Sequence, residues 1–205
     1  MMIHDPVHLD NRQREFIQQQ VLGNYFPWFR TRQHTDRQAH DPKITGLFPS
    51  IDPTRPTEMP GLGLVADMPI WTHQLMTRSS GAESTGQIVS EYYEFFADIF
   101  YSWLAEHNIT CDYVYRASLN CSHPSEYDYS MPHLDHSWPH SNWIMYLNTV
   151  EDAPTALFDD SFNLTGFVPC EEFTAVSFPG QYHTNKYSHS MQQRFVCVFT
   201  FGSKI

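Results

Sequence analysis

Residues 173–178 read Phe173-Thr174-Ala175-Val176-Ser177-Phe178 and are cut off by Pro179-Gly180. Six residues rich in aromatic and β-branched side chains, closed by a proline–glycine pair, predict a strand and a turn. The same grammar repeats on either side. Short apolar runs occupy 112–120, 142–149, 155–158, 164–168 and 194–201, with turn residues between them. Short strands at near-regular spacing predict an all-β sandwich or barrel after residue 110.

The first half of the chain has a different period. Over 84–107 the residues Ile88, Tyr92, Phe95, Phe96, Ile99, Trp103 and Leu104 recur at steps of three and four, with Ser84 or Thr85 as cap. That spacing predicts a helix whose apolar face needs a sheet to cover. A shorter helix is expected at 10–22, capped by Asp10 or Asn11 and stopped by Gly23. An aromatic extended stretch, Tyr25-Phe26-Pro27-Trp28-Phe29, follows it. Between the helices, 31–62 carries Pro42, Pro49, Pro53, Pro56 and Pro60. So long an irregular segment reads as a surface wrap or a lid. The expectation is one domain, with a helical and irregular support region at 1–110 and a β core at 111–205.

Composition excludes several classes. A net charge of −11 repels phosphate backbones and disfavours nucleic acid as a partner. The four cysteines, Cys111, Cys121, Cys170 and Cys197, form no Cys-x-x-Cys pair, which speaks against a zinc knuckle and for a reduced chain. No basic-then-apolar leader opens the sequence, and no apolar window is long enough to span a membrane. A soluble cytoplasmic protein is expected.

Twelve histidines are many for this length, and histidine is the commonest metal ligand. A His-x-Asp pair can direct two ligands to one face, and a distant histidine completes a facial triad with open metal positions. Chance alone supplies about one such pair here, and the chain has three: His8-Leu9-Asp10, His34-Thr35-Asp36 and His133-Leu134-Asp135. Asp10 is explained as a helix cap, and His34 and Asp36 lie in the proline-rich segment. Only His133 and Asp135 fall between predicted strands. His183 follows the strand 173–178 closely, and His189 competes with it. Arg194 heads the apolar run Phe195–Phe201 with no acidic neighbour in sequence. A buried arginine needs a partner. A ligand carboxylate would serve, as would a distant ion pair or a surface position.

His133-x-Asp135, then Tyr146-Leu147-Asn148, His183 and Arg194 together resemble the 2-oxoglutarate/Fe(II) dioxygenase superfamily, and most closely its prolyl 4-hydroxylase-like branch. Family spacing between the distal histidine and the arginine selects His183 over His189. The resemblance covers about residues 110–202 and implies a double-stranded β-helix, a jelly roll of the cupin type. Fe(II) would be held by His133, Asp135 and His183. The far carboxylate of 2-oxoglutarate would be held by Arg194 and Tyr146, with Asn120 as a further contact. Decarboxylation of 2-oxoglutarate would be coupled to oxidation by O2, in hydroxylase fashion, of a small-molecule or peptidyl substrate. Three positions depart from the family pattern. Ala153-Pro154-Thr155 stands where Gly-Gly-Thr is common, Val196 removes an Arg-x-Ser pair, and Ser130 replaces a tyrosine for which Tyr127 or Tyr129 would stand in. Two other readings remain. A metal enzyme of the same shape that does not use 2-oxoglutarate would keep the triad without needing Arg194. A non-catalytic jelly-roll binding module would need none of the four residues.

Overall fold

The computed structural model describes residues 1–31, 57–59, 62–66 and 68–203. The lid reading of 31–62 and the pair His34–Asp36 lie almost wholly outside them. Six expected strands are present as β6 (Tyr113–Ser122), β7 (Ser141–Tyr146), β8 (Thr155–Phe158), β9 (Leu164–Val168), β10 (Thr174–Pro179) and β12 (Arg194–Gly202). Also present are β1 (Ile3–Pro6), β2 (Phe29–Arg30), β3 (Thr57–Met59), β4 (Gly63–Val65), β5 (Trp71–Met76) and β11 (His183–Asn185). These six are too short or too mixed in polarity to show a clear period.

A seven-stranded sheet runs β1-β10-β7-β12-β6-β5-β2, and its pairings are antiparallel. A smaller sheet, β11-β8-β9, faces it. The fourth position of the smaller sheet is taken by residues 129–133, docked on β11 through bridges at Tyr129–Lys186 and His133–His183. This is the double-stranded β-helix, mainly β with flanking helices.

Alternation sorts the side chains of the large sheet. Trp143, Met145, Leu147, Cys197, Phe199 and Phe201 point to one side and pack with the helix α2 (Tyr93–Glu106), through Phe96, Phe100 and Trp103. Phe199 stacks on Phe100 at 4.5 Å between ring centroids, nearly parallel. The helix thus braces the outside of the larger sheet. The opposite side of the sheet, with Ile144, Tyr146 and Val196, faces the interior between the sheets.

Two helix expectations need correction. α2 begins at Tyr93, not near residue 84. Residues 86–89 instead hydrogen-bond to strand edges: Gly86 N–H to Val114 at 3.0 Å and Val89 N–H to Leu75 at 3.0 Å. Those pairings outcompete the helical period, and Ile88 is left exposed. At the N-terminus α1 spans only Asn11–Phe16, and a π-helical turn continues it over Ile17–Val21. The start is as expected: Asp10 accepts from Gln13 N–H, and the Gln13 side chain accepts in return from Asp10 N–H. Among the described residues no helix is long and apolar enough to cross a membrane.

Phe199→Ala should lower the unfolding free energy by about 3–5 kcal/mol, because Phe199 is fully buried against Phe100 and Trp143. Urea unfolding followed by tryptophan fluorescence measures it.

Candidate metal centre

His133 and His183 lie directly opposite each other and exchange two backbone hydrogen bonds, each 3.0 Å. Residues so paired project their side chains to the same face, and the imidazole centroids are 4.6 Å apart. Each ring is oriented by its own chain. His133 Nδ1 bonds the Met131 carbonyl at 3.2 Å, and His183 Nδ1 bonds the Gln181 carbonyl at 3.0 Å. A carbonyl only accepts, so both rings carry the proton on Nδ1 and offer Nε2. Asp135 Oδ2 lies 3.4 Å from His183 Nε2. The three possible ligand atoms lie within 4.8 Å of one another.

The charge states suit a divalent cation. Burial pushes His133 down to about 4, and the neighbouring His183 adds to the shift. Burial alone would raise Asp135, but His183, His133, Arg116 and Arg78 hold it well below the usual carboxylate range. At neutral pH the set therefore offers a neutral His133 and an ionised carboxylate, as metal binding requires. Arg116 Nη1 approaches Asp135 Oδ1 only to 3.4 Å, while Arg78 donates to the Asp135 backbone carbonyl. His136 behind it bonds Thr200 Oγ1 at 2.7 Å through Nε2 and faces Arg78 through Nδ1.

The triad opens into a cleft lined also by Arg116, Asn120, Ser122, Thr155, Asn185 and Arg194. Arg194 is buried and donates through Nε to Ala153 O at 3.1 Å and through Nη2 to Thr155 Oγ1 at 2.8 Å. Its guanidinium lies 5.3 Å over the Tyr146 ring. Among the described residues no carboxylate pairs with it. Tyr146 lies behind the cleft wall, fully buried, with its hydroxyl 2.8 Å from Thr155 Oγ1. Asn120 lines the cleft and accepts from Thr72 Oγ1 at 2.9 Å.

The fold thus gathers His133, Asp135, His183, Arg194 and Asn120 around one cleft, with Tyr146 one layer back. His8 and His189 are not part of it. His8 is exposed, and His189 lies beside Asp128 at 3.5 Å. Ser130, the position that departs from the family tyrosine, is buried and bonds Asn185 Oδ1 at 3.0 Å. Arg116, Thr155 and Asn185 were not picked as site residues from sequence. A signal existed for Arg116: the polar series Arg116, Ser118, Asn120, Ser122 recurs every second residue within one strand, and Ser118 and Ser122 are buried.

Neither a family model nor a curated protein matches the chain. Solved structures do. AviO1 from Streptomyces viridochromogenes Tue57 aligns with a TM-score of 0.54 and 10% identity, over 98% of this chain and 89% of that one. An oxidoreductase of the 2OG-Fe(II) oxygenase family from Burkholderia pseudomallei aligns at 0.52 and 10%, over 93% and 89%. SnoN, a non-haem α-ketoglutarate-dependent epimerase from nogalamycin biosynthesis, aligns at 0.51 and 9%, over 98% and 77%. The fold of this chain is that of the 2OG-Fe(II) oxygenases.

Two outcomes are expected here. His183→Ala and Asp135→Asn should each remove tight divalent-metal binding in calorimetry, while His8→Ala and His189→Ala should leave it intact. The stability that His133 and His136 contribute to the metal-free protein should be fully present above about pH 6.5 and be lost as the pH falls towards 3, because burial drives His133 down to about 4 and His136 to about 3. The unfolded chain takes up protons in that window that the folded chain refuses. Unfolding titrations across the range measure the slope, which His136→Gln should make shallower.

Proposed function

We propose that this chain is an Fe(II)- and 2-oxoglutarate-dependent oxygenase of hydroxylase type, acting with O2 on a small-molecule or peptidyl substrate. One observation carries the reading: a buried arginine, with no carboxylate partner among the described residues, lines the same cleft as a His-Asp-His set. A second observation agrees with it. Asn185 is 4% exposed, its Oδ1 is held by Ser130, and its Nδ2 has no hydrogen-bond partner among the described residues. An orphaned buried donor beside a cationic fork fits a ligand carboxylate.

His133, Asp135 and His183 would hold the iron and leave other coordination positions for cofactor and O2. Bound iron and 2-oxoglutarate supply the oxidising chemistry, coupling decarboxylation of the cofactor to oxidation of substrate. The remaining work belongs to the chain. Arg194 receives the far carboxylate of 2-oxoglutarate, and Asn185 donates to it. Tyr146 acts through Thr155, fixing the guanidinium by packing beneath it and sharing its hydroxyl partner. Asn120, anchored by Thr72, is a further polar contact. Ile144, Val196 and Val198 line the cleft with apolar surface for the cofactor's methylenes. Activity falls at acid pH, because protonating a ligand histidine removes a donor.

Anaerobic titration of the Fe(II)-loaded protein with 2-oxoglutarate, followed by visible charge-transfer absorption, tests the reading. Wild type should develop a band. Arg194→Ala should raise the 2-oxoglutarate Kd by about a hundredfold. Tyr146→Phe should raise it by several-fold. Unchanged affinity in Arg194→Ala would overturn the role given to that residue, and an iron-loaded wild type without a band would overturn the use of 2-oxoglutarate.

A further inference from the structure

We infer that the substrate is an anion, bearing a carboxylate or phosphate group that Arg116 binds beside the metal centre; this rests on the function proposed above. Arg116 stands on β6 and lines the cleft together with His133 and Asp135. Its side chain is 25% exposed, against 4% for the Asp135 side chain. Among the described residues its guanidinium has one hydrogen-bond contact, Nη1 to Asp135 Oδ1 at 3.4 Å. A charge-assisted hydrogen bond is shorter, roughly 2.7–2.9 Å. A guanidinium has about five N–H donors in a fixed fork, so most of its binding capacity is unanswered by protein.

Charge counting points the same way. The chain as a whole is acidic, at −11, yet among the described residues the charged ones lining the cleft are Arg116, Arg194 and Asp135. A divalent metal and the 2-oxoglutarate dianion cancel each other, and Arg194 and Asp135 cancel. Arg116 is left as an unbalanced cation beside a metal ion. Metal binding also draws on the one carboxylate that Arg116 touches, which weakens that contact further. Arg78, the other arginine near Asp135, is already engaged with the Asp135 carbonyl and His136. A substrate anion supplies the missing charge, and a guanidinium binds carboxylate or phosphate through two parallel bonds. The same cations repel a substrate amine, and the acidic exterior repels a polyanion such as nucleic acid.

The test uses the full chain with Mn(II) in place of iron and calorimetry as the readout. The first titration adds 2-oxoglutarate; no binding there overturns the oxygenase reading itself. The ternary complex is then titrated with N-acetylalanine, N-acetylleucine and N-acetylphenylalanine, each beside its primary amide, and with phosphoserine beside serine. The expected result is that at least one anionic probe binds about tenfold or more tighter than its neutral counterpart. The pair that responds identifies carboxylate or phosphate. Arg116→Gln should bring that ratio to about one, and Arg116→Lys should restore part of it. In both variants the Mn(II) and 2-oxoglutarate affinities should stay within about threefold. No acid preference in wild type, or a preference that survives in Arg116→Gln, overturns the proposal. So does a tenfold loss of Mn(II) or 2-oxoglutarate affinity in Arg116→Gln, because Arg116 would then serve Asp135 or the cofactor and not the substrate.

Discussion

The two hydrogen bonds between the backbones of His133 and His183 are the constraint on which the site depends. They join a segment that is not a regular strand to β11, a strand of three residues. Neither element would hold a side chain in place alone. Together they set two imidazoles on one face, and Asp135 reaches the same point two residues on. The surroundings reinforce the junction. Thr184 donates to the Ser130 carbonyl and Asn185 accepts from the Ser130 hydroxyl, tying the segment to β11 a second time. At the other end the β10–β11 turn is pinned by Gly180, whose N–H bonds the His140 carbonyl at 2.7 Å. A Cβ at Gly180 would sit 2.5 Å from the His140 ring, so the turn admits no larger residue without displacement.

Electrostatics at this junction are organised by burial. Withdrawing His133 and His136 from water keeps both neutral, whereas the cations around Asp135 keep it ionised although it too is buried. The outcome is a neutral His133 beside an ionised Asp135 at neutral pH, inside a cleft whose charge, among the described residues, is opposite in sign to that of the chain. Arg194 follows a different logic. Its position is fixed by the Ala153 carbonyl, the Thr155 hydroxyl and the Tyr146 ring. None of these carries an opposing full charge, and the fork is therefore held in place without being neutralised.

Much of this was legible in the sequence. The strands at 112–120, 142–149, 155–158, 173–178 and 194–201 were readable because each is buried on at least one face and so keeps an uninterrupted apolar or alternating pattern; 164–168 was readable from its apolar residues although Leu164 and Phe167 are exposed. β5 was not, because its residues Thr72, His73 and Gln74 mix polarity along a strand near the sheet edge. The helix start near residue 84 misled because an apolar period is indifferent to what pairs with the backbone, and Gly86 and Val89 are committed to strand edges. The triad was readable from spacing and strand context. Arg116, Thr155 and Asn185 were not, since their roles depend on which strands become neighbours. Thr155 meets Arg194 only because β8 and the start of β12 converge across the two sheets.

The alternation along β6 and β12 has a consequence for how such a protein changes over time. On β12 the residues Phe195, Cys197, Phe199 and Phe201 serve the helix side, while Arg194, Val196 and Val198 serve the cleft. On β6 Ala117 and Leu119 lie with the helix, and Arg116, Asn120 and Ser122 with the cleft. One strand thus carries two inventories separated by the thickness of a backbone. Exchanges on the cleft side change ligand contacts on the face opposite the one that packs on the helix. A lineage can redraw what the cleft accepts, one alternate position at a time, without first having to rebuild the wall that holds it.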